Sequence, residues 1–442
     1  MIKPGRPMRG FVGATARKQM IPAQDAGQSD ETLLRYAGWR VVLACFLMAL
    51  FLFGFGLYGH GVYLAELQRL NGWPAALISG ASTVSLLLCN IFATFTNELV
   101  ARLGAKRLVL LGIAALAAST TLLAWATTPW QLYAAFILMS LGWIGMGTVV
   151  IATVVSLWFV RRRGLAISLA FTGGSCGGVV VTPLLVFLVE WFGFPAAMLT
   201  VTAIMVAVLV PVAVAWIGPP AGGGLAEGQI KDPSPAEMSS ATGEISRAKL
   251  LRSPAFWTIS VPFALALLAQ IGFIVHQIAL LEPKIGLASA GVAVSIMTFM
   301  AIAGRLGLGI FVDRLDPRRV TAVSLVSQAA ALLAVLQTDD VSVVLAACAV
   351  FGFSIGNIIT LPPLIIHREF NAASFVVVMG LSNAVSGTVG ALGPGLVGLV
   401  RGWRGDYDAV LAVCIGLELL AAAIVVQRGL LRWRPAPVEG RG

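Results

Sequence analysis

Long apolar runs alternate with short polar interruptions along most of this chain. A bilayer core about 30 Å thick is crossed by about 20 apolar helical residues. Runs of that length recur at roughly 40–66, 75–99, 108–128, 131–159, 164–189, 194–216, 256–281, 286–311, 320–337, 341–365, 373–400 and 408–428. Their ends carry helix-breaking punctuation: Gly72-Trp73-Pro74, Gly104-Ala105, Gly218-Pro219-Pro220 and Asp316-Pro317. The pattern predicts an all-α membrane protein of twelve transmembrane helices.

The longest internal interruption, 217–255, holds Gly222-Gly223-Gly224, Pro233, Pro235 and Ser239-Ser240, the composition of a flexible linker. It divides the chain into a basic tail (1–37), a six-helix bundle (38–216), the linker, a second six-helix bundle (256–430) and a tail (431–442). The halves echo each other. "PLLVFLV" at 183 and "PGLVGLV" at 394 share Pro-x-Leu-Val-x-Leu-Val at an offset of 211, and "ARLGAKR" at 101 matches "DRLDPRR" at 313 at an offset of 212. Two unrelated pairs at nearly one offset imply a parallel repeat of two pseudo-symmetric bundles with a site between them. With both ends on one face, only Arg69, Lys284, Arg401 and Arg404 of the 30 Lys and Arg fall on the other, and Arg305 falls within a span. Positive residues mark the inner face, so both termini and the linker are expected in the cytoplasm of a multi-pass plasma-membrane protein, in bacteria the inner membrane.

Composition agrees: 58% hydrophobic and 11% charged is a chain whose solvent is lipid. The net charge of +10 sits in short clusters between apolar runs, which argues for anchoring beside anionic lipid and against nucleic acid. Residues 1–36 lack the apolar core of a secretory signal and read as a solvated basic tail. Cys45, Cys89, Cys176, Cys348 and Cys414 stand singly in apolar segments, and His60, His276 and His367 share no ligand spacing, so no metal or other cofactor is expected beyond a coupling proton. "GFGLYG" at 54–59 and "GGSCG" at 173–177 imitate a dinucleotide fingerprint and a nucleophile elbow. Both lie inside membrane helices, where glycines at these spacings let helices approach. An enzyme is not expected.

"GIFVDRLDPRR" at 309–319 follows Gly-x-x-x-Asp-Arg-x-x-x-Arg-Arg. An anion at a helix C-terminus is disfavoured, so Asp313 needs cations, and Arg314, Arg318 and Arg319 are near. This reads either as a charged gate latch or as ordinary positive-inside anchoring. The stretch resembles the loop between helices eight and nine of the major facilitator superfamily, whose first copy, between helices two and three, corresponds to "NELVARLGAKR" at 97–107. There Asn97 and Ala101 replace glycine and aspartate, while Arg102 and Arg107 remain. "GWRVVLACF" at 38–46, "WFVRRRGLAISLAFTGGSCGG" at 158–178 and "GPGLVGLVRGWRGDYDAVLAV" at 393–413 are similar to the monocarboxylate-transporter-like branch that includes oxalate–formate exchangers.

Intramembrane ionisable residues are costly and mark function. Arg305 lies roughly 12 Å inside the cytoplasmic rim. It either snorkels or turns inward on a surface spaced by Gly304 and Gly307. Its fork matches a carboxylate, and the resemblance implies that role for it. That branch's acidic residue one turn earlier is Ala301 here, and its second cation on helix eleven is absent. His60 and Tyr58 are candidate polar replacements for a helix-one lysine, or His60 is structural. His276 with Gln277 either borders the cavity or ties helices. Glu418 reads as a buried protonated carboxyl or a relay. The resemblance places Asn383 and Ser386 on a helix flanking the cavity. The expectation is alternating-access transport by a monomer, taking up a small monocarboxylate or related organic anion with a proton. The alternative is an export antiporter for amphipathic compounds. A membrane sensor is a third class, for which the linker is too short to hold a signalling domain.

Overall fold

The structure is a computed structural model and describes residues 36–159, 162–218, 250–311, 315–370 and 372–427. The expected tails, most of the linker, and Asp313 and Arg314 lie outside the described residues. Among the described residues, twelve helices are long and apolar enough to cross a membrane: span 1 Gly38–Tyr58, 2 Ala75–Ala93, 3 Ala105–Ala124, 4 Pro129–Ser156, 5 Arg163–Phe192, 6 Phe194–Trp216, 7 Pro254–Ile285, 8 Leu287–Leu308, 9 Pro317–Gln337, 10 Val341–Glu369, 11 Val377–Arg404 and 12 Asp408–Val426. Every expected run corresponds to one of them. Span 1 continues through a π-turn, Gly54–Tyr58, into the helix His60–Asn71. Spans 5 and 6 are joined by Gly193 alone, whose φ of 78° is open to glycine at little cost.

Packing repeats between the halves. Spans 1–5, 3–4, 3–6 and 2–4 lie together in the first, and 7–11, 9–10, 9–12 and 8–10 in the second. Glycines set these distances. Gly173 and Gly177 of span 5 press on the carbonyls of Phe46 and Leu50 in span 1, and Gly304 of span 8 presses on that of Phe353 in span 10. A methyl group at any of these would meet backbone, so the helices lie closer than larger residues permit. The halves meet through spans 5 with 8 and 2 with 11, and through the His60–Asn71 helix with span 7. The first two pairings exchange under the same repeat.

We call the face carrying residues 36, 218, 250 and 427 the tail face and the other the far face. On the tail face the repeat reaches single contacts. Lys106 donates to the carbonyl of Val214, and Arg318 to that of Val425. These positions are related by offsets of 212 (106 to 318) and 211 (214 to 425). Among the described residues, only the second copy carries a counter-ion. The Nε and Nη2 atoms of Arg318 engage both oxygens of Glu369 at 2.6 and 2.7 Å, and further bonds reach Thr258. One guanidinium thus ties the ends of spans 7, 9, 10 and 12. Arg102 and Arg107, expected in the first latch, are exposed, and Lys106 makes the contact instead. Its register is the reason: Lys106, two residues past the Gly104 turn and itself exposed, is the one that reaches span 6. Asp316 caps span 9 by accepting from the Arg318 amide, and Arg319 stays exposed at 3.9 Å from it.

Removing one member of a buried ion pair costs about 3–5 kcal/mol, because the other is left uncompensated. Glu369 keeps 25% side-chain exposure, so its removal belongs at the low end. Glu369→Ala is expected to lower the thermal unfolding midpoint of the detergent-solubilised protein by several degrees. An unchanged midpoint would show that the pair is solvated.

Candidate functional site

The contacts between the halves gather toward the far face. Gly398 meets Ser79, the amide of Gly395 donates to Thr83 Oγ1 at 2.8 Å, Gly291 meets Val186, Ser295 donates to the carbonyl of Val179, and Gly178 meets Thr298. Among the described residues, the inter-half hydrogen bonds nearest the tail face are Asn90 to the carbonyl of Gly387 (3.2 Å) and Arg305 Nη2 to Ser175 Oγ (3.2 Å). Below them exposure rises: Ser79, Ser82 and Ser85 of span 2 are buried while Asn90 is exposed, and on the face of span 5 that carries Ser175, which is buried, Ser168 and Gly164 are exposed. The two bundles therefore form a V, closed at the far face and open at the tail face, with Arg305 at its apex.

Three features of the sequence put Arg305 there. Gly304 seats span 8 on span 10, leaving Leu306 to the outside at 68% exposure. The next position round the helix, Arg305, then faces span 5. Snorkelling is not the observed placement. Ser175, 3% exposed, is held by a glycine-rich stretch in which Gly174 lies against Phe53 and Gly178 against Thr298. The π-turn in span 1, a feature frequent at functional sites, ends on Tyr58, which stands within electrostatic reach of the guanidinium. Gly56 in the same turn makes room for the ring of Trp143.

Arg305 has no carboxylate within ion-pair distance among the described residues, and its buried Nε has no partner. The contrast with Arg318, which has Glu369, is the main electrostatic fact of the site.

The other expected cavity residues divide. Asn383 is exposed and lies one turn before Gly387, on the face that Asn90 reaches across the V. Ser386 instead bonds within its own half, to the carbonyl of Ser260 (3.5 Å). His60 is buried against span 4, with Nε2 3.2 Å from Met139 Sδ and its ring edge-on to Phe136. His276 ties span 7 to span 11 and the following loop. Nε2 donates to the carbonyl of Pro394 (3.2 Å), which leaves Nδ1 to accept from the hydroxyl of Tyr407 (3.3 Å). Burial pushes the Tyr407 phenol up to about 12, so it stays a donor, and Arg401 lies 5.0 Å over its ring. The physical reason is common to the three: a buried polar group out of reach of water takes the nearest helix as partner. Glu418 is fully buried on span 12, which packs on spans 7, 9 and 11, and neither oxygen has a hydrogen-bond partner among the described residues.

A second charged group was not anticipated. Glu66, with 2% side-chain exposure, accepts from Nη2 and Nε of Arg69 at 2.6 and 3.2 Å. That bond holds the Arg69 guanidinium above its ordinary value. Glu282 of span 7 adds a carboxylate from the other half within electrostatic reach of both. This group sits at the far face, where the V is closed.

The family model described as Major Facilitator Superfamily matches residues 46–438. The chain belongs to the major facilitator superfamily. Curated relatives are monocarboxylate transporter 13 of Bos taurus, 27% identical over 168 residues, and the uncharacterized MFS-type transporter YhjX of Escherichia coli K12, 29% identical over 151. The matched stretches cover 38% and 32% of this chain and 39% and 37% of those proteins. Among solved structures the nucleoside transporter NupG is similar with a TM-score of 0.72 at 15% identity, over 88% of this chain and 98% of that one. A bacterial homologue of the lysosomal transporter Spinster, inward-facing and unoccupied, gives 0.66 at 15%, over 91% and 100%. These likenesses show the major facilitator fold. The protein is a membrane-embedded member of that superfamily, and its relatives are transporters, not enzymes.

A V of this kind makes accessibility the direct test. In a background with the five native cysteines replaced by alanine, Asn383→Cys is expected to react with a water-soluble maleimide, while Ser79→Cys resists. The reverse ranking would place the opening on the wrong face.

Proposed function

We propose that this transporter takes up a small monocarboxylate together with a proton, and that Arg305 holds the carboxylate. One observation carries the reading: a permanently charged guanidinium stands at the apex between the halves, without a carboxylate partner among the described residues. An ion at membrane depth is held at a cost that a counter-ion offsets well, and a planar fork with a free Nε matches a carboxylate. The similarity to monocarboxylate transporter 13 points the same way. A single cation at the apex among the described residues favours a monoanion over a dianion. Carrying anion and proton together neutralises the cargo, which lowers the cost of closing both halves round it.

On this reading the tail face is cytoplasmic. Far-face Arg69, Lys284, Arg401 and Arg404 are few beside the Lys and Arg of the tail-face segments. The V is then the inward-open state of a plasma-membrane transporter acting as a monomer. Of the residues expected to bind substrate, Arg305 and Asn383 border the open space, and Tyr58 lies within electrostatic reach of Arg305.

The test is uptake of labelled formate, acetate, lactate and pyruvate into proteoliposomes, with and without an inward proton gradient. Uptake of at least one, stimulated by the gradient, is expected. Hydrogen bonds to a charged group are each worth about 1.5–3 kcal/mol, so Arg305→Ala is expected to reduce uptake at least 100-fold while the protein still inserts and elutes as a single species. Undiminished uptake by the variant would sink the assignment. Counterflow driven by an outward gradient only would favour the export antiporter.

A further inference from the structure

Ser175 and Arg305 belong to different halves, and their bond is one of two that close the apex of the V. We propose that Ser175 is the resident partner of the empty site: it holds the Arg305 guanidinium until a substrate anion displaces it, so that binding severs a tie between the halves. This rests on the carboxylate reading of Arg305 and adds a specific role for a residue that reading does not need.

Three observations support it. The bond is long and neutral on one side, 3.2 Å from Nη2 to a hydroxyl. A carboxylate brings a full opposite charge and can take two guanidinium N–H donors at once, so an anion outcompetes Ser175. The serine itself is fixed. It is 3% exposed, and Gly174 and Gly178 flank it against Phe53 and Thr298, which leaves its backbone no room to follow the arginine. Arg305 has slack instead: it is half-buried, its Nε has no partner, and Tyr58 is its other polar neighbour. Exchange of partner therefore moves the arginine, and the span 5–span 8 contact loses its polar tie. The remaining contacts along this seam, at Ser295 and Val179, Thr298 and Gly178, and Gly291 and Val186, lie toward the far face. A tie at the apex is the one that an occupant arriving from the open side reaches first.

If the serine competes with the anion, removing it tightens binding. If it instead contacts the substrate, removing it weakens binding. Ser175→Ala and Ser175→Cys separate these roles from mere packing, since cysteine fills the space but accepts hydrogen bonds poorly. Binding of formate, acetate, lactate and pyruvate to the purified full-length protein is measured by calorimetry. Both variants are expected to bind the best of these about 2–10-fold more tightly than the wild-type protein. In the cysteine-replaced background, Ser79→Cys is expected to react faster with maleimide when Ser175→Ala is added, with no ligand present, because the halves part more often. Weaker binding by both variants, or Ser175→Cys behaving as wild type while Ser175→Ala does not, would overturn the proposal. If none of the four anions binds the wild-type protein, the carboxylate reading fails on its own. The labelling rate then decides whether Ser175 ties the halves, and an unchanged rate overturns that as well.

Discussion

A charge inside a membrane protein must have an answering charge or a strong set of dipoles, because desolvation costs several kcal/mol per ion. The two inward-facing arginines of the second half meet this demand in opposite ways. Arg318 is surrounded: Glu369 takes its fork, and Thr258 and Val425 take the remaining donors. Its role is to hold four helix ends together. Arg305 has a serine hydroxyl and an unsatisfied Nε. The same side chain is structural where the protein supplies the anion and is a candidate binding group where it does not.

That distinction needs a rigid frame, and glycine supplies it. In each bundle, glycines let backbones touch, span 5 against span 1 and span 8 against span 10. Small residues leave little side-chain freedom to lose and give broad van der Waals contact, the main force between helices where lipid removes the hydrophobic one. Each half thus behaves as a body. The seam between them is different: it has glycine contacts toward the far face and two side-chain hydrogen bonds at the apex, Asn90 to Gly387 and Arg305 to Ser175. Rigid halves joined by a seam that breaks bond by bond are what a rocking motion requires.

Much of this was legible in the sequence, and the parts that were not share a cause. Span number, span ends and the repeat follow from apolar run length and from local punctuation such as Gly104 and Asp316-Pro317, and these are properties of neighbours in the chain. Arg305 stood out because one charge in an apolar run has few explanations. Partners distant in sequence were hidden. Glu369 lies 51 residues from Arg318, and nothing near either residue names the other. Ser175 sat in a glycine run that reads fully as helix packing, which it also is. Nothing near Glu66 or Glu282 in the chain marks their meeting, which depends on how the halves close. His60, His276 and Ser386 drew attention as polar residues in apolar helices, but polarity alone does not say whether a group faces a cavity or the next helix.

The position of the arginine also bears on how binding is converted into movement. A ligand shifts an equilibrium between two conformations only as far as it binds them differently. A site built wholly within one rigid half would be nearly the same in both states and would shift nothing. At the apex, by contrast, the donors belong to span 8 and the neighbours to spans 1 and 5, so their separation changes whenever the halves rock. A small anion held by Arg305 therefore experiences the conformational state directly, through the distance to Tyr58 and Ser175. The far-face carboxylates feel the same motion with opposite sense. Closing that face brings Glu282 toward the Glu66–Arg69 pair, where it meets a like charge and an opposite one together. The closed far face carries these opposed interactions, and seam contacts between spans 5 and 8 and between spans 2 and 11 lie beside them. The energies on the two faces are small differences between such opposed terms, which is the condition under which one bound anion is enough to change which face is open.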